Sequence, residues 1–146
     1  MQRKNNGFTL IELILVIAII SFIALLSSPF FARFLVQNAV DNTVDELSGS
    51  LRKAQTYAMA GKQGSTWSVN FSSNTITLYK GLSFAGRDPA FDEEFSVNPA
   101  VSVSGISDID YARVTGLPTP VTATITISSG SNSKTVTINS QGVVSR

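Results

Sequence analysis

An uninterrupted apolar run near the N-terminus constrains this chain more than any other feature of its sequence. The run extends from Phe8 to Leu26, and its 19 residues include one charged side chain, Glu12. As a helix rising about 1.5 Å per residue, it would span roughly 28 Å, close to the hydrocarbon core of a bilayer. The sequence therefore predicts a membrane-spanning segment.

Two basic residues set the predicted orientation of this segment. Arg3 and Lys4 precede the run, so the positive-inside rule keeps residues 1–7 in the cytoplasm and sends the remainder outward. A secretory signal has a shorter apolar stretch of about 7–15 residues before a small-x-small cleavage site. Residues 24–28 leave a weak site of that kind open. We therefore predict that the globular part is not cytoplasmic.

The composition excludes several classes of functional site. The chain contains no histidine, which removes His-based general bases, Ser-His-Asp triads and His-ligated metals. It contains no cysteine, which removes disulfides, thiolate chemistry and Cys-ligated metals. Eleven Lys and Arg residues against ten Asp and Glu residues give a net charge of +1, so no bulk basic field indicates nucleic acid. These absences favour a structural or binding protein over an enzyme.

The carboxylate in the apolar run needs an explanation, because such a charge costs on the order of 3 kcal/mol in a membrane helix. Glu12 ends the hexapeptide GFTLIE at residues 7–12. This hexapeptide resembles the processing motif of the type IV filament superfamily, the type IV pilins and the type II secretion pseudopilins, at all six positions. The resemblance implies that a prepilin peptidase cleaves between Gly7 and Phe8 and N-methylates the new amine of Phe8.

The resemblance also implies how the segment acts in assembly. Glu12 would lie one helical turn below the new amine and could neutralise the amine of a neighbouring subunit, since charge pairs are strong in low dielectric. The apolar helix would be both membrane anchor and filament core. Pro29 would kink the helix where it leaves the membrane, because proline removes a backbone hydrogen bond; a simple helix terminator is the alternative.

Beyond the membrane segment the pattern becomes amphipathic and predicts that the helix continues to Ala60, with Gly61 as its C′ cap. Apolar residues recur every three or four positions: Val36, Val40, Val44, Leu47, Leu51, Ala54 and Ala58. Close packing against a strand could account for Gly49 in the middle of this helix.

After Gly61 the apolar period becomes two, which is typical of strands. One hairpin is predicted from Trp67 to Leu78, with a turn at residues 72–74, and another from Val121 to Ile138, with a turn at residues 129–133. Weaker patterns predict short strands at 97–103 and 109–114 and a surface loop at 81–95.

The predicted fold class is α+β, with a long N-terminal helix packed on an antiparallel β-sheet head, as in pilins. Four segments are predicted: a cleaved cytoplasmic leader at 1–7, a transmembrane and filament-core helix at 8–28, its amphipathic continuation at 29–61, and a β-rich head at 62–146.

The spacing of the two hairpins, and the C-terminal strand before Gly142, resemble the H-type minor pseudopilins and the FimT-like minor pilins. Some FimT-like proteins bind DNA through a C-terminal glycine and arginine motif. The corresponding segment here, residues 141–146, has no arginine directly after Gly142. Arg113, Lys134 and Arg146 would form only a small patch, although phosphate contacts dominate such binding. DNA is therefore disfavoured as a partner.

The acidic residues of the head are the candidates for a metal or catalytic site, since a chain without histidine and cysteine offers only oxygen ligands. They are Asp88, Asp92, Glu93, Glu94, Asp108 and Asp110. None matches a calcium-loop spacing, which indicates solvated loop acids. Asp108 and Asp110 would share one face of a strand without a cleft for a sugar. We predict no enzyme activity and no cofactor.

The sequence therefore predicts a minor pilin or pseudopilin, a structural subunit of a type IV pilus or a type II secretion pseudopilus involved in filament assembly and protein secretion. Its partners would be a prepilin peptidase, other pilin or pseudopilin subunits and the inner membrane, with the head on the periplasmic side. Two alternatives stay open: a DNA-uptake or adhesive minor pilin, and a signal-anchored extracytoplasmic binding domain that never assembles.

Overall fold

The computed structural model describes residues 7–72, 74–105 and 107–146, except for the side chains of residues 26–32. The predicted turn residue Ser73 lies outside these ranges. The chain divides into two compact units, Met1–Leu35 and Val36–Arg146.

One long helix precedes a set of short strands. Helix α1 runs from Leu10 to Met59. The strands of the described chain are β1 Trp67–Ser72, β2 Thr75–Lys80, β3 Glu93–Ser96, β4 Ser102–Ser104, β5 Asp108–Tyr111, β6 Pro118–Thr119, β7 Ala123–Ser129, β8 Asn132–Ile138 and β9 Val144–Ser145. Short 3-10 turns lie at Lys62–Gly64, Phe84–Gly86 and Pro89–Phe91. The α+β class is confirmed.

The strands form two antiparallel sheets. Sheet I has the strand order β3-β2-β1-β5-β6, and sheet II has the order β4-β7-β8-β9. Each sheet is built around one of the predicted hairpins, β1–β2 in sheet I and β7–β8 in sheet II. Shorter strands from the remaining chain extend both hairpins at their edges.

In the first unit, the large apolar side chains of α1 are exposed. Leu10 is 76% exposed and Leu25 is 77% exposed, and the large apolar side chains between them are 48–67% exposed. The α-helix continues through position 29. The kink at Pro29 stays a prediction, because the side chains of residues 26–32 lie outside the described part of the structure. Among the residues described here, no helix combines the length and hydropathy needed to cross a membrane.

In the second unit, α1 buries the predicted apolar stripe against both sheets. The fully or nearly fully buried helix residues are Val40, Val44, Leu47, Leu51, Ala54 and Ala58, whereas Val36 is half-buried. They form one core with Trp67, Val69 and Ile109 of sheet I and with Ile125, Ile127 and Val136 of sheet II. Because the helix contributes to one continuous core, its amphipathic half is held by packing more than by propensity.

Trp67 joins the end of α1 to the first strand. Its indole is 1% exposed and donates a hydrogen bond from Nε1 to the Lys62 carbonyl at 3.0 Å. The Tyr57 ring meets it edge-on, with ring centroids 4.8 Å apart. The Lys62 ammonium lies 3.4 Å from the Tyr57 centroid, which adds a cation–π contact.

Gly49 does not pack closely against a strand, so that explanation is wrong. Its position is exposed, and a Cβ built there would meet nothing within 4 Å. We expect Gly49→Ala to raise the free energy of unfolding by roughly 0.5–1 kcal/mol, because alanine restricts the unfolded chain without a clash. Thermal unfolding of the full chain in detergent would measure this.

Gly61→Ala is the matched control for that substitution. Gly61 has φ of +60° and caps α1, with its N–H bonded to the Ala58 carbonyl at 3.0 Å. Alanine there is strained, so this variant should lose stability. Stabilisation by both substitutions, or by neither, would contradict the assignment.

The two hairpins confirm the period-two predictions, but β7 begins at Ala123 instead of Val121 and the second turn is shorter. In the first hairpin Trp67 lies opposite Lys80. In the second, Ser129 lies opposite Asn132, so residues 130–131 alone form the turn instead of the predicted five residues. Gly130 has φ of +58°, which suits a tight two-residue hairpin.

The weaker strand predictions were partly wrong. Within residues 97–103 only the end forms a strand, β4, and β5 ends at Tyr111 instead of continuing to Val114. Strand β3 lies inside the predicted loop, and β9 was not predicted. Val97 is buried in a connection instead, with its N–H bonded to the Asn74 carbonyl at 2.7 Å. Edge strands of two to four residues are too short for their alternation to be read.

Candidate functional site

The start of α1 forms a reciprocal capping arrangement. The Thr9 backbone N–H donates to Glu12 Oε2 at 2.9 Å, and the Thr9 hydroxyl donates to the same oxygen at 2.8 Å. The Glu12 N–H donates to Thr9 Oγ1 at 3.3 Å. Since α1 begins at Leu10, Thr9 is the N-cap and Glu12 is the third helical residue. This is a capping box, which satisfies two backbone donors of the first turn.

Sequence reasoning missed the capping role of this pair. The signal was present, because threonine followed three residues later by glutamate at a helix start is a known capping pattern. Glu12 was interpreted only as an assembly charge. The structure shows that its carboxylate has hydrogen-bond donors within its own chain and lies at the N-terminal end of the helix dipole, where a negative charge is favoured.

The predicted processing residues lie beside this cap. Gly7 and Phe8 precede the helix, and the Phe8 side chain is 90% exposed. Cleavage after Gly7 would place a cationic amine one residue before the N-cap Thr9. The apolar face that follows is exposed through Leu25, which in water would be unfavourable unless a membrane or other chains covered it.

Comparisons with known proteins agree with this segment. The family model for the prokaryotic N-terminal methylation motif matches residues 2–28. The chain is 29% identical over 82 residues to a type IV major fimbrial protein FimA of Dichelobacter nodosus, covering 56% of this chain and 52% of the relative. It is 27% identical over 93 residues to another FimA of that organism, covering 63% and 58%. These similarities are to type IV pilins and to their N-terminal methylation motif. The chain spans about half the length of the curated relatives it matches.

The fold of this chain is also found in a solved structure. The type IV minor pilin FimU of Pseudomonas aeruginosa superimposes with a TM-score of 0.59 at 15% identity. The alignment covers 75% of this chain and 90% of that chain. The prediction of a pilin-like fold, with a long helix on antiparallel sheets, is confirmed.

The three cations Arg113, Lys134 and Arg146 do not form one patch. The Lys134 ammonium lies 2.6 Å from Asp41 Oδ1, and Arg146 pairs with Asp45. Arg113 lies elsewhere, with its Nε 3.9 Å from a Cβ built on Gly61. Because Lys134 and Arg146 face carboxylates of α1, they present little free charge to a phosphate backbone.

Three of the six acidic residues of the head, Asp88, Asp92 and Glu93, each have a separate partner. Asp88 accepts from the Ala90 N–H at 3.2 Å, and Asp92 accepts from Arg87 Nε at 2.6 Å. Glu93 pairs with Lys53 across the head. In the described ranges, no three acidic side chains lie close enough together to hold a metal ion. The Arg87 guanidinium also packs over the Phe84 ring, 3.7 Å from its centroid, so this loop is ordered by its own contacts.

Asp108, at the start of β5, is a half-buried carboxyl group whose raised pKa favours its neutral form. Burial raises its pKa, the nearby Asp110 charge adds to this, and the hydrogen bond from the Tyr79 hydroxyl at 2.7 Å opposes it. Burial and the Asp108 charge likewise raise the pKa of Tyr79, so the phenol stays protonated as the donor. A carboxylate whose pKa is raised in the folded state favours folding at low pH, and this contribution is lost as pH rises through the folded pKa.

We expect Asp108→Asn to increase the free energy of unfolding at pH 7, by less than about 1 kcal/mol, since the amide oxygen can still accept from Tyr79. The increase should disappear as pH falls from the folded pKa toward the ordinary aspartate value. Urea unfolding from pH 3.5 to pH 8 would measure it, with exposed Asp88→Asn as control. A difference that does not change with pH would contradict the assignment.

Proposed function

We propose that this chain is a minor subunit of a type IV pilus or a type II secretion pseudopilus, taking part in filament assembly and protein secretion. A prepilin peptidase would cleave between Gly7 and Phe8 and methylate the Phe8 amine. The segment 8–28 would anchor the chain in the inner membrane, with the head on the periplasmic side, and would then enter the filament core. The observation that carries this proposal is the exposed apolar helix that begins at Leu10, within the processing motif, and is capped by Thr9 and Glu12.

The minor role is supported by the shape of the head. The fold matches a minor pilin over 90% of that chain, whereas sequence similarity to the major fimbrial proteins covers about half of their length. The proposed role is mechanical: the apolar helix holds the subunit in the filament, and the head makes lateral or tip contacts.

The capping box gives Glu12 two successive roles in this proposal. Before assembly, Thr9 donates two hydrogen bonds to the carboxylate, which lowers the cost of holding it at the membrane. During assembly, the carboxylate would instead accept a hydrogen bond from the methylated amine of a neighbouring subunit. The new charge pair lies in low dielectric, where it is stronger than the neutral donors that it replaces.

The test is the intact mass of the membrane-extracted chain, produced with and without a co-expressed prepilin peptidase. With the peptidase, we expect loss of Met1–Gly7 and one added methyl group on Phe8. Without it, the chain should stay full length. An uncut chain in both samples, or a cut within residues 24–28, would return the protein to the signal-anchored or secreted class and contradict the proposal.

A further inference from the structure

The outer edge of β8 is only partly paired. Strand β9 covers its end, with Thr137 opposite Ser145 and Ile138 opposite Val144. On the other edge, β7 pairs with β8 along its whole length. Within the described part of the chain, no strand pairs with the outer edge of residues 132–136. Open strand edges of this kind are templates for pairing with another chain.

The direction of the backbone groups along this edge follows from the β8–β9 junction. The Asn139 N–H donates to the Val143 carbonyl at 3.2 Å, so its polar groups point to the β9 side. The backbone N–H and C=O groups of successive residues point to alternate edges of a strand. Those of Thr137, Thr135 and Ser133 therefore point to the same side as those of Asn139. Thr137 faces β9. Thr135 and Ser133 therefore direct two N–H and two C=O groups outward, in line with β9.

A groove between this edge and α1 has room for a strand. It comprises two adjoining cavities of about 560 and 140 Å³, both lined by Asp41 and Lys134. The other lining residues are Val44, Asp45, Thr135 and Arg146 in the first cavity, and Gln37, Val40, Asn132 and Ser133 in the second. Four residues of strand, at about 3.3 Å each, would extend roughly 13 Å along the edge.

The chemistry of the groove selects an uncharged guest. Its two carboxylates, Asp41 and Asp45, are paired with its two cations, Lys134 and Arg146. Val40 and Val44 also line the groove, but they are 1% and 3% exposed and belong to the core. A charged segment would find each cation and carboxylate already paired, so a nucleic acid is disfavoured. A strand with small, uncharged side chains would satisfy the open edge without placing an unpaired charge beside these ion pairs.

We propose that an extended, uncharged segment of a neighbouring filament subunit adds to β8 as an antiparallel strand that continues the line of β9. The inference rests on the proposed function for its partner. The helix side of the groove is formed by residues 37–45 of α1, on the amphipathic continuation of the segment 8–28 that would enter the filament core. Main-chain hydrogen bonds to Thr135 and Ser133 would give affinity, and the ion pairs of the groove would favour uncharged side chains.

Thr135→Pro is the sharpest test of this strand addition. It removes the outward N–H but keeps the hydrogen bonds to β7, since proline is tolerated on an edge strand whose N–H is free. Thr135→Val is the matched control, because it keeps the N–H. We expect the proline variant to fall roughly fivefold in its share of purified filaments, in keeping with the loss of a hydrogen bond, and the valine variant to stay at wild type. Equal incorporation of the two variants would overturn the inference.

Amide exchange of the unmodified full chain covers the case in which Thr135→Pro fails to fold. In detergent, the Thr135 and Ser133 amides should exchange quickly, whereas the Thr137 amide should be protected by β9. In filaments, exchange at Thr135 should slow by about tenfold or more. Rapid exchange in filaments would overturn strand addition alone, while absence of the wild-type chain from filaments would instead contradict the proposed function.

Discussion

Replacing Glu12 by glutamine is expected to leave the chain in the membrane but to reduce its share of purified filaments to roughly a tenth of wild type or less. Glutamine can still accept the hydrogen bonds from Thr9, so the helix cap survives while the charge is lost. A neighbouring methylated amine would then be buried without a partner, which is costly in low dielectric. Quantitative immunoblotting of filaments and membranes would measure both pools.

Two further variants separate the charge from the cap. Glu12→Ala removes both, and its incorporation should be as low as that of Glu12→Gln. Thr9→Val keeps the carboxylate and removes the hydroxyl, so it should incorporate far better than either. Rescue by Glu12→Gln relative to Glu12→Ala would show that capping alone explains the residue, and the assembly role would then be wrong.

Leu51→Ala is expected to have the largest effect on stability. Leu51 is fully buried at the middle of the apolar stripe, between both sheets. Truncation would leave a cavity that the surrounding helix and strands fill only partly, and we expect a loss of about 3 kcal/mol in the free energy of unfolding. Denaturant unfolding of the full chain in detergent, followed by circular dichroism, would measure it.

Leu82→Ala provides the control for the same change of side chain. Leu82 is 69% exposed in the loop after β2, so its truncation should alter stability by less than about 0.5 kcal/mol. Similar losses at Leu51 and Leu82 would contradict the described core.

Long periodic elements could be predicted from the sequence, whereas edges could not. The stripe on α1 and the alternation of β1 and β7 depend on burial repeated over several turns or residue pairs. The order of apolar and polar residues in the sequence shows this repetition directly. Strand β9 has only two residue pairs with β8, and β3 depends on pairing with β2, which lies 15 to 21 residues earlier in the chain. Neither strand is long enough to show an alternation of its own. Local propensity carries little information about such strands.

The candidate site shows the same division between local and distant information. The residues of the processing motif are contiguous, and their placement around the helix start follows from sequence. The capping box formed by Thr9 and Glu12 could also be predicted from local sequence, because the two residues are three positions apart. The pairing of Lys134 with Asp41 depended instead on which face of α1 meets the open edge of β8. Spacing along the chain does not contain that information.

The contacts of Trp67 give this protein an intrinsic optical reporter. The chain has a single tryptophan, so its emission comes from one place, where Tyr57 of α1 meets β1. Any loosening of α1 from the first strand would admit water to the indole and shift its fluorescence to longer wavelengths. The state of the helix–sheet junction could therefore be followed without a label, during membrane extraction, filament assembly or disassembly.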